Sequence, residues 1–130
     1  MTSLTEYTSY EDSQSEFSIK GLWQLLDGDK QQLNIAHEAV DRHAHQDKMA
    51  IHVAHSDGTD ESISFNDLSS TSSQLANWLC SLGVKTGDRV GVMVDPSLAF
   101  YAAMFGIIKA GAVAVPMFTL FGIDLSLIHI

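Results

Sequence analysis

The stretch from Gly87 to Pro116 constrains the fold of this chain more than any other part of its sequence. It begins with an apolar run, Val90 to Val94, that has no polar residue on either face. Strands of this kind are typical of parallel sheets that are covered on both sides. We therefore expect a buried central strand built on Val90, Val92 and Val94.

A helix and a second strand follow within the same stretch. An Asp-Pro pair ends the first strand, and Ser97 is a suitable N-cap. Apolar residues at helical spacing predict a helix from Leu98 to Ala110, and Gly111 stands where a C-cap glycine belongs. Val113 and Val115 belong to a second short strand that flanks the first. The stretch therefore predicts a right-handed βαβ unit.

Two further elements are predicted upstream of this unit. Asn34 is a suitable N-cap for an amphipathic helix that ends near His45. Residues 49–55 alternate as a strand, a turn follows at 56–59, and a return strand at 62–65 completes a hairpin.

The next helix is predicted against its own composition. Ser64 and Asp67 fit a capping box at its start. The run Ser69–Ser73 favours a flexible linker instead, because each Ser or Thr costs about 0.5 kcal/mol of helix propensity relative to Ala. The apolar repeat outweighs this cost, and Gly83 is expected to cap the helix. The expected inner face consists of Leu68, Leu75, Ala76, Leu79 and Leu82.

Two segments carry a family resemblance. The residues LGVKTGDRVGVMV, and a helix that ends in IIKAGAVAVP, resemble the early N-terminal region of the adenylate-forming acyl-CoA synthetases, the AMP-binding enzymes. Within that family, PMFTLFGIDL is most similar to the short- and medium-chain acyl-CoA synthetases. The resemblance implies an α/β fold. It implies a partial N-terminal subdomain of the enzymes' large domain, with a βαβ unit and an upstream hairpin and helices.

The resemblance divides the chain into three segments. We expect residues 1–33 to be a flexible or loosely packed lead-in, largely disordered over its polar first 18 positions, with a short helix around Leu22 to Leu26. Residues 34–124 are expected to be the truncated N-terminal part of the AMP-binding domain. Residues 125–130 match the translation of a transposon-adapter end used for sequencing libraries, so we interpret them as a scar. The alternative is a native short helix or strand.

The resemblance also implies an activity. The intact enzyme would be an acid-thiol ligase of fatty acid metabolism that converts a small carboxylic acid, ATP and coenzyme A to acyl-CoA, AMP and pyrophosphate, assisted by Mg²⁺. The family's Ser/Thr/Gly-rich phosphate loop, adenine-contacting segment and late catalytic lysine have no counterpart before Asp124. We therefore expect this chain to be an inactive fragment that binds none of these cofactors. No catalytic, cofactor-binding or metal-binding residue is assigned.

Two alternative functions stay open. One is another adenylating enzyme, such as a peptide-synthetase adenylation domain or an aryl-acid ligase. The other is a stand-alone α/β binding or interaction module. A Ser/Thr/Gly-rich loop ending in Pro-Lys further along the reading frame would favour the enzymes, whereas a native stop codon after Asp124 would favour the module.

Several motifs that could carry chemistry fail on their spacing. His37-Glu38 opens like the zinc-protease motif HExxH, but Asp41 stands where the second histidine is required. Gly106 to Gly111 has the glycine spacing of a Walker phosphate loop but lacks the Lys and Ser/Thr that must follow. Four further histidines match no standard zinc pattern, and we interpret them as solvated. They are His43, His45, His52 and His55.

Asp88 and Arg89 form the charged pair that most invites a catalytic interpretation. No partner residue lies near them in sequence. We expect Asp88 to accept backbone N–H bonds in the turn, and Arg89 to anchor the start of the strand.

The overall charge argues against one class of partner. The chain carries 16 acidic and 7 scattered basic residues, a net charge of −9, so a nucleic-acid partner is not expected.

Cys80 is the single cysteine, which favours a reducing, cytoplasmic setting. No positive charge precedes Lys20, so no secretory signal is expected. A lysine, a glycine and a proline interrupt the apolar run 98–123, so no membrane span is expected.

Overall fold

The computed structural model describes residues 6–45, 48–117 and 119. The chain separates into two compact units, Met1–Leu33 and Asn34–Ile130. The scar that the sequence predicts at 125–130 lies outside the described residues.

The first unit contains two short helices, α1 (Tyr10–Ser15) and α2 (Ile19–Trp23). Each is capped by a serine: Ser9 Oγ accepts the Asp12 N–H, and Ser18 Oγ accepts the Gly21 N–H, both at 3.1 Å. Neither helix has a buried residue. Helix α1 was not predicted, because the polar composition of the first 18 residues favours disorder and the local cap at Ser9 outweighs it. Helix α2 was predicted about three residues too late.

The second unit begins with a short helix, α3 (Ile35–Ala39), and a 3₁₀ turn at Asp41–His43. Asn34 caps α3 as predicted, since its Oδ1 accepts the Ala36 N–H at 2.9 Å. The prediction of one continuous helix to near His45 was wrong. The backbone leaves helical geometry at Val40, which is buried.

An antiparallel hairpin follows, as predicted, with strands β1 (Met49–Ala54) and β2 (Asp60–Ser64). Val53 and Ile63 are buried on its inner face. Met49 is exposed, and the pairing register shifts between Met49 and Ile51. The alternation that the sequence shows is therefore not continued to the start of β1.

The serine-rich helix is present as α4 (Phe65–Ser81). Ser64 Oγ accepts the Asp67 N–H at 3.1 Å and donates to the Asp67 carboxylate at 2.6 Å, so the predicted box closes between the two side chains. Ser72 is completely buried, and its hydroxyl donates to the Leu68 carbonyl at 2.6 Å. Leu82 was wrongly assigned to the inner face: it is the C-cap and is exposed.

The βαβ unit is confirmed, with β3 (Arg89–Val92), α5 (Leu98–Lys109) and β4 (Val113–Pro116). The two strands are parallel, and Val90 lies opposite Ala114. The expectation of three buried valines was wrong. Val92 is 4% exposed, whereas Val94 lies beyond the strand and is 44% exposed. Within the described residues the sheet has only these two strands, so β3 is paired along one edge.

Helices α4 and α5 pack closely against each other. A Cβ atom added to Gly106 of α5 would lie 2.7 Å from the Ser72 carbonyl oxygen, which is closer than real Cβ contacts come. A glycine facing a small serine therefore sets the helix separation. Two buried clusters flank this contact. One contains Val40, Val53, Ile63, Leu68 and Ala102, and the other Leu79, Val92, Ile107 and Ala112.

Among the described residues, no helix has both the length and the apolar character to cross a membrane.

Candidate functional site

A cleft opens at the carboxyl ends of β3 and β4. In parallel sheets, ligands bind in crevices outside the carboxyl ends of the strands. The cleft has a volume of about 190 Å³. It is lined by Val94, Asp95, Pro96, Phe100, Pro116, Met117 and Thr119. This position makes it the candidate functional site.

The loop after β3 forms one wall of the cleft. Ser97 caps α5 as predicted, because its Oγ accepts the Phe100 N–H at 3.3 Å. The same hydroxyl donates to the Asp95 carbonyl at 2.9 Å, which ties the loop to the helix start. Glu61 reaches across from the hairpin and accepts the Leu98 N–H at 3.3 Å. A carboxylate at this position also complements the helix dipole.

The segment after β4 forms the opposite wall. The Met117 N–H donates to the Val92 carbonyl at 2.8 Å, which continues the parallel pairing past the strand. Gly91 makes room for the methionine, since a Cβ there would lie 3.1 Å from Met117 Cε. Thr119 donates from its hydroxyl to the Asp95 carboxylate at 2.6 Å. This bond joins the two walls.

The lining suits an apolar group better than a phosphate. Valine, proline, phenylalanine and methionine side chains make up most of it, and Asp95 is its only charged residue within the described chain. A triphosphate needs backbone N–H groups and cations around it. The described lining supplies neither a cation nor a glycine-rich loop, so it does not fit ATP and its Mg²⁺.

A partly buried polar cluster lies at the end of α5 that is away from the cleft. The Lys109 ammonium donates to Asp41 Oδ1 at 2.6 Å, to the Ser69 carbonyl at 3.0 Å and to Ser73 Oγ at 2.9 Å. Ser69 Oγ donates to the same Asp41 oxygen at 2.6 Å. The Lys109 side chain is 10% exposed and that of Asp41 29%. We name these four residues the Lys109 cluster.

Asn34 contacts the same end of α5. Its amide Nδ2 donates to the Ile108 carbonyl at 3.1 Å, which gives this carbonyl a second donor beside the Gly111 N–H at 3.0 Å. Together with Glu61 at the start, Asn34 and Lys109 fix both ends of the helix that borders the cleft. Sequence reasoning missed these contacts. The available signals were Lys109 alone in an apolar run and the serine run of α4.

The charged pair Asp88 and Arg89 lies away from the cleft. Asp88 Oδ2 accepts the Lys85 N–H at 2.8 Å, so its predicted role in the turn is confirmed. Arg89 is the exposed first residue of β3. The structure brings no catalytic partner to this pair among the residues it describes.

The other sequence motifs also lie outside the cleft. No group of three or more His, Cys, Asp or Glu residues with metal-binding geometry occurs in the described ranges. His52 lies 3.5 Å from the Asp60 carboxylate on the hairpin surface. Gly106 lies inside α5, and Gly111 (φ +74°) follows it, so these glycines form no phosphate loop.

Comparisons with known proteins identify the relatives of this chain. The sequence model of the family described as AMP-binding enzyme matches residues 37–124. An acetyl-coenzyme A synthetase from Bacillus subtilis is 38% identical over 93 residues, which cover 68% of this chain and 16% of that protein. Surfactin synthase subunit 2, from the same organism, is 40% identical over 57 residues, 44% of this chain and 2% of that protein.

A solved structure agrees in fold. The crystal structure of an acyl-CoA synthetase from Brucella canis superposes with a TM-score of 0.81 and 28% identity. The superposition covers 92% of this chain and 22% of that one. The chain thus spans less than a quarter of the length of each relative it matches here.

Proposed function

Because the chain belongs to the AMP-binding enzyme family and corresponds to an N-terminal part of that family's large domain, we propose that it is a part of an ATP-dependent acyl-CoA synthetase. The match to acetyl-coenzyme A synthetase over 68% of the chain is the observation that carries this proposal. The intact enzyme would take a small carboxylic acid, ATP and coenzyme A as substrates. A cytoplasmic location and a role in fatty acid metabolism belong to the same proposal.

The proposed reaction has two balanced steps. In the first, a carboxylate oxygen attacks the α-phosphorus of ATP, and pyrophosphate leaves with the electron pair of the broken P–O bond. In the second, the coenzyme A thiol loses its proton and attacks the acyl carbon, and AMP leaves. Mg²⁺ would neutralise phosphate charge in the first step.

The contribution of this chain is structural. Strands β3 and β4 begin a parallel sheet, and α5 holds the loops at their carboxyl ends. The apolar cleft at these ends would form one part of a larger site. The lining of this cleft does not fit a triphosphate. The groups that hold the triphosphate would therefore come from sequence outside the described residues.

We therefore expect the 130-residue chain to have no synthetase activity by itself. The test supplies the purified chain with ATP, Mg²⁺ and a panel of short- to medium-chain fatty acids and aryl acids, and measures exchange of labelled pyrophosphate into ATP. An intact acetyl-CoA synthetase serves as the positive control. We expect no exchange above the buffer control. Acid-dependent exchange by the chain alone would contradict the proposal.

A peptide-synthetase adenylation domain is the second candidate function. The match to surfactin synthase subunit 2 supports it, since its identity of 40% is as high as that of the CoA ligase, although over a shorter segment. Extending the reading frame in the source DNA separates the two. The extended protein should show exchange that depends on fatty acids and form acyl-CoA. Exchange that depends on amino acids, without acyl-CoA formation, would favour the peptide synthetase.

A further inference from the structure

We propose that a second cleft, in the first unit, binds a planar ring that carries a phosphate group, which is the chemistry of a nucleotide. This departs from the expectation, drawn from the sequence, that the chain alone binds neither ATP nor coenzyme A. This cleft lies between α2 and the turn that follows it, and it has a volume of about 280 Å³. That volume is close to the lower limit of about 300 Å³ for small-molecule pockets. Its lining is Lys20, Trp23, Gln24, Gly28, Asp29 and Lys30.

The cleft gathers positive charge in an acidic chain. The chain has 7 basic residues and a net charge of −9, yet Lys20 and Lys30 line the same cleft. Neither ammonium group has an ion-pair partner among the described residues, in contrast to Arg42 and Lys109. Two exposed lysines that line one cavity favour an anion as the ligand.

The one carboxylate in the lining is already engaged. Asp29 Oδ1 accepts the N–H groups of Gln31 and Gln32, each at 2.8 Å. These bonds lower the pKa of Asp29, so its charge is directed into the turn at neutral pH. The cleft therefore keeps a surplus of positive charge.

The backbone of the turn that contains Lys30 is tightly folded on itself. A Cβ added to Gly28 would lie 2.5 Å from the Gln32 carbonyl oxygen, so no other residue fits there without a backbone shift. The same carbonyl accepts the Asp29 N–H at 3.3 Å. Lys30 thus belongs to an ordered turn and Lys20 to α2.

Trp23 supplies a surface for the ring. It is the last residue of α2 and is half-buried, so the indole lines the cleft without being enclosed in a core. Bases stack on aromatic side chains whatever their identity, because each base has a π face. A ring on Trp23 with its phosphate between the two lysines uses the aromatic and the cationic residues of the lining.

Tryptophan fluorescence tests the proposal directly. The chain has two tryptophans, and Trp78 lies in α4 of the second unit, so Trp78→Phe leaves Trp23 as the only reporter. We expect AMP to change the Trp23 emission in a saturable way. Adenosine and inorganic phosphate should each bind at least about tenfold more weakly, since each lacks one half of the recognised chemistry. A titration with AMP that shows no saturation, or adenosine binding as tightly as AMP, would overturn the proposal.

Charge-matched variants distinguish AMP binding at this cleft from a general electrostatic attraction of AMP to the chain. In the Trp78→Phe background, Lys20→Ala with Lys30→Ala should weaken AMP binding about tenfold or more. Lys48→Ala with Lys85→Ala removes the same charge from exposed positions of the second unit. This pair should change the affinity for AMP by less than about twofold. Equal losses in both pairs would overturn the proposal.

A conservative pair of substitutions controls for misfolding. Lys20→Arg with Lys30→Arg keeps both charges and should retain AMP binding, with an unchanged far-UV circular dichroism spectrum. Loss of binding in this folded variant would overturn the proposal. The measurement needs no turnover, so its outcome is independent of the proposed synthetase function.

Discussion

The Lys109 ammonium illustrates how single residues stabilise this chain. Three acceptors surround it, one for each of its N–H groups, and its side chain is 10% exposed. A buried charge is tolerated only when it is paired and hydrogen-bonded. The Ser73 hydroxyl is one of these acceptors, and the Ser69 hydroxyl donates to Asp41, which is another. Two side chains of the serine run that weakens helix propensity in α4 therefore help to hold a charge from α5.

The Lys109 cluster makes a first prediction. Asp41→Asn should lower the free energy of unfolding by about 1–3 kcal/mol, because it removes the carboxylate that compensates the lysine. Denaturant unfolding measures the change. Lys109→Met added to this variant should recover part of the loss.

Asp60→Asn is the matched control for this experiment. Asp60 pairs with His52 at the surface, where its side chain is 58% exposed. We expect a change within about 0.5 kcal/mol. If Asp41→Asn were as mild as this control, the Lys109 cluster would not contribute to stability.

The hairpin turn gives a pH prediction. Asp57 Oδ1 accepts the Thr59 hydroxyl at 2.6 Å and the Thr59 N–H at 2.9 Å, and these bonds hold the pKa of Asp57 below its ordinary 3.8. The Asp57 contribution to turn stability is therefore complete above pH 3.8 and is lost as the pH falls through the lowered pKa. An NMR titration of the carboxyl group should place its midpoint below 3.8.

Thr59→Val is the control for the pH prediction. It removes the hydroxyl, whose bond is the largest cause of the shift, and should raise the Asp57 pKa towards its ordinary value. An unchanged midpoint would show that the Thr59 hydroxyl does not set the Asp57 pKa.

At the scale of elements, burial along β3 depends on what covers the strand. Val92 packs in the cluster with Leu79, Ile107 and Ala112. Val94 continues the same apolar run but leaves the strand for the loop, and there it lines the cleft. Two valines with the same local sequence pattern therefore have different roles.

Aspartate substitutions should separate these roles. Val92→Asp should cost several kcal/mol, comparable to the stability of a whole domain, because the carboxylate would be buried without a partner. Val94→Asp, at a position that is 44% exposed, should lower the melting temperature only slightly. Thermal unfolding followed by circular dichroism measures both. Similar melting of the two variants would contradict the difference in burial between Val92 and Val94.

The elements themselves could largely be predicted from sequence because their signals are local. Serine and asparagine caps at Asn34, Ser64 and Ser97 mark helix starts within three residues, and the hairpin follows from alternation around one turn. The side-chain environment could not be predicted in the same way. Which residues pair with β3, and which elements pack against Val92, depends on contacts between residues that are distant in sequence.

The candidate site could not be predicted from local sequence patterns, because it too depends on contacts between residues that are distant in sequence. Its two walls meet through Thr119 and Asp95, which are 24 positions apart, and through Met117 and Val92. No short motif encodes either contact. The family was nevertheless predicted correctly from the sequence, because the two segments that carry the resemblance lie in the part of the chain that the family model matches.

At the scale of the whole molecule, the second unit has a core of its own. Both buried clusters consist of residues between Val40 and Ala112. We therefore expect a chain that lacks residues 1–33 to fold, with a melting temperature within a few degrees of the full chain. Calorimetry of the two proteins tests this. Failure of the shortened chain to show a cooperative transition would contradict the division into two units.

The Lys109 cluster also has a consequence for the order of events during synthesis. Asp41 and Lys109 are 68 residues apart, so at translation rates of about 5–20 residues per second the lysine is made roughly 3 to 14 s after its partner. Until Lys109 has been made, Asp41 lacks its ammonium partner, and α4, once it has been made, lacks the Gly106 face of α5 that packs against Ser72. Docking of α5 then desolvates the charge and covers Ser72 in one step. We expect this docking to be the event that commits the nascent chain to its native packing.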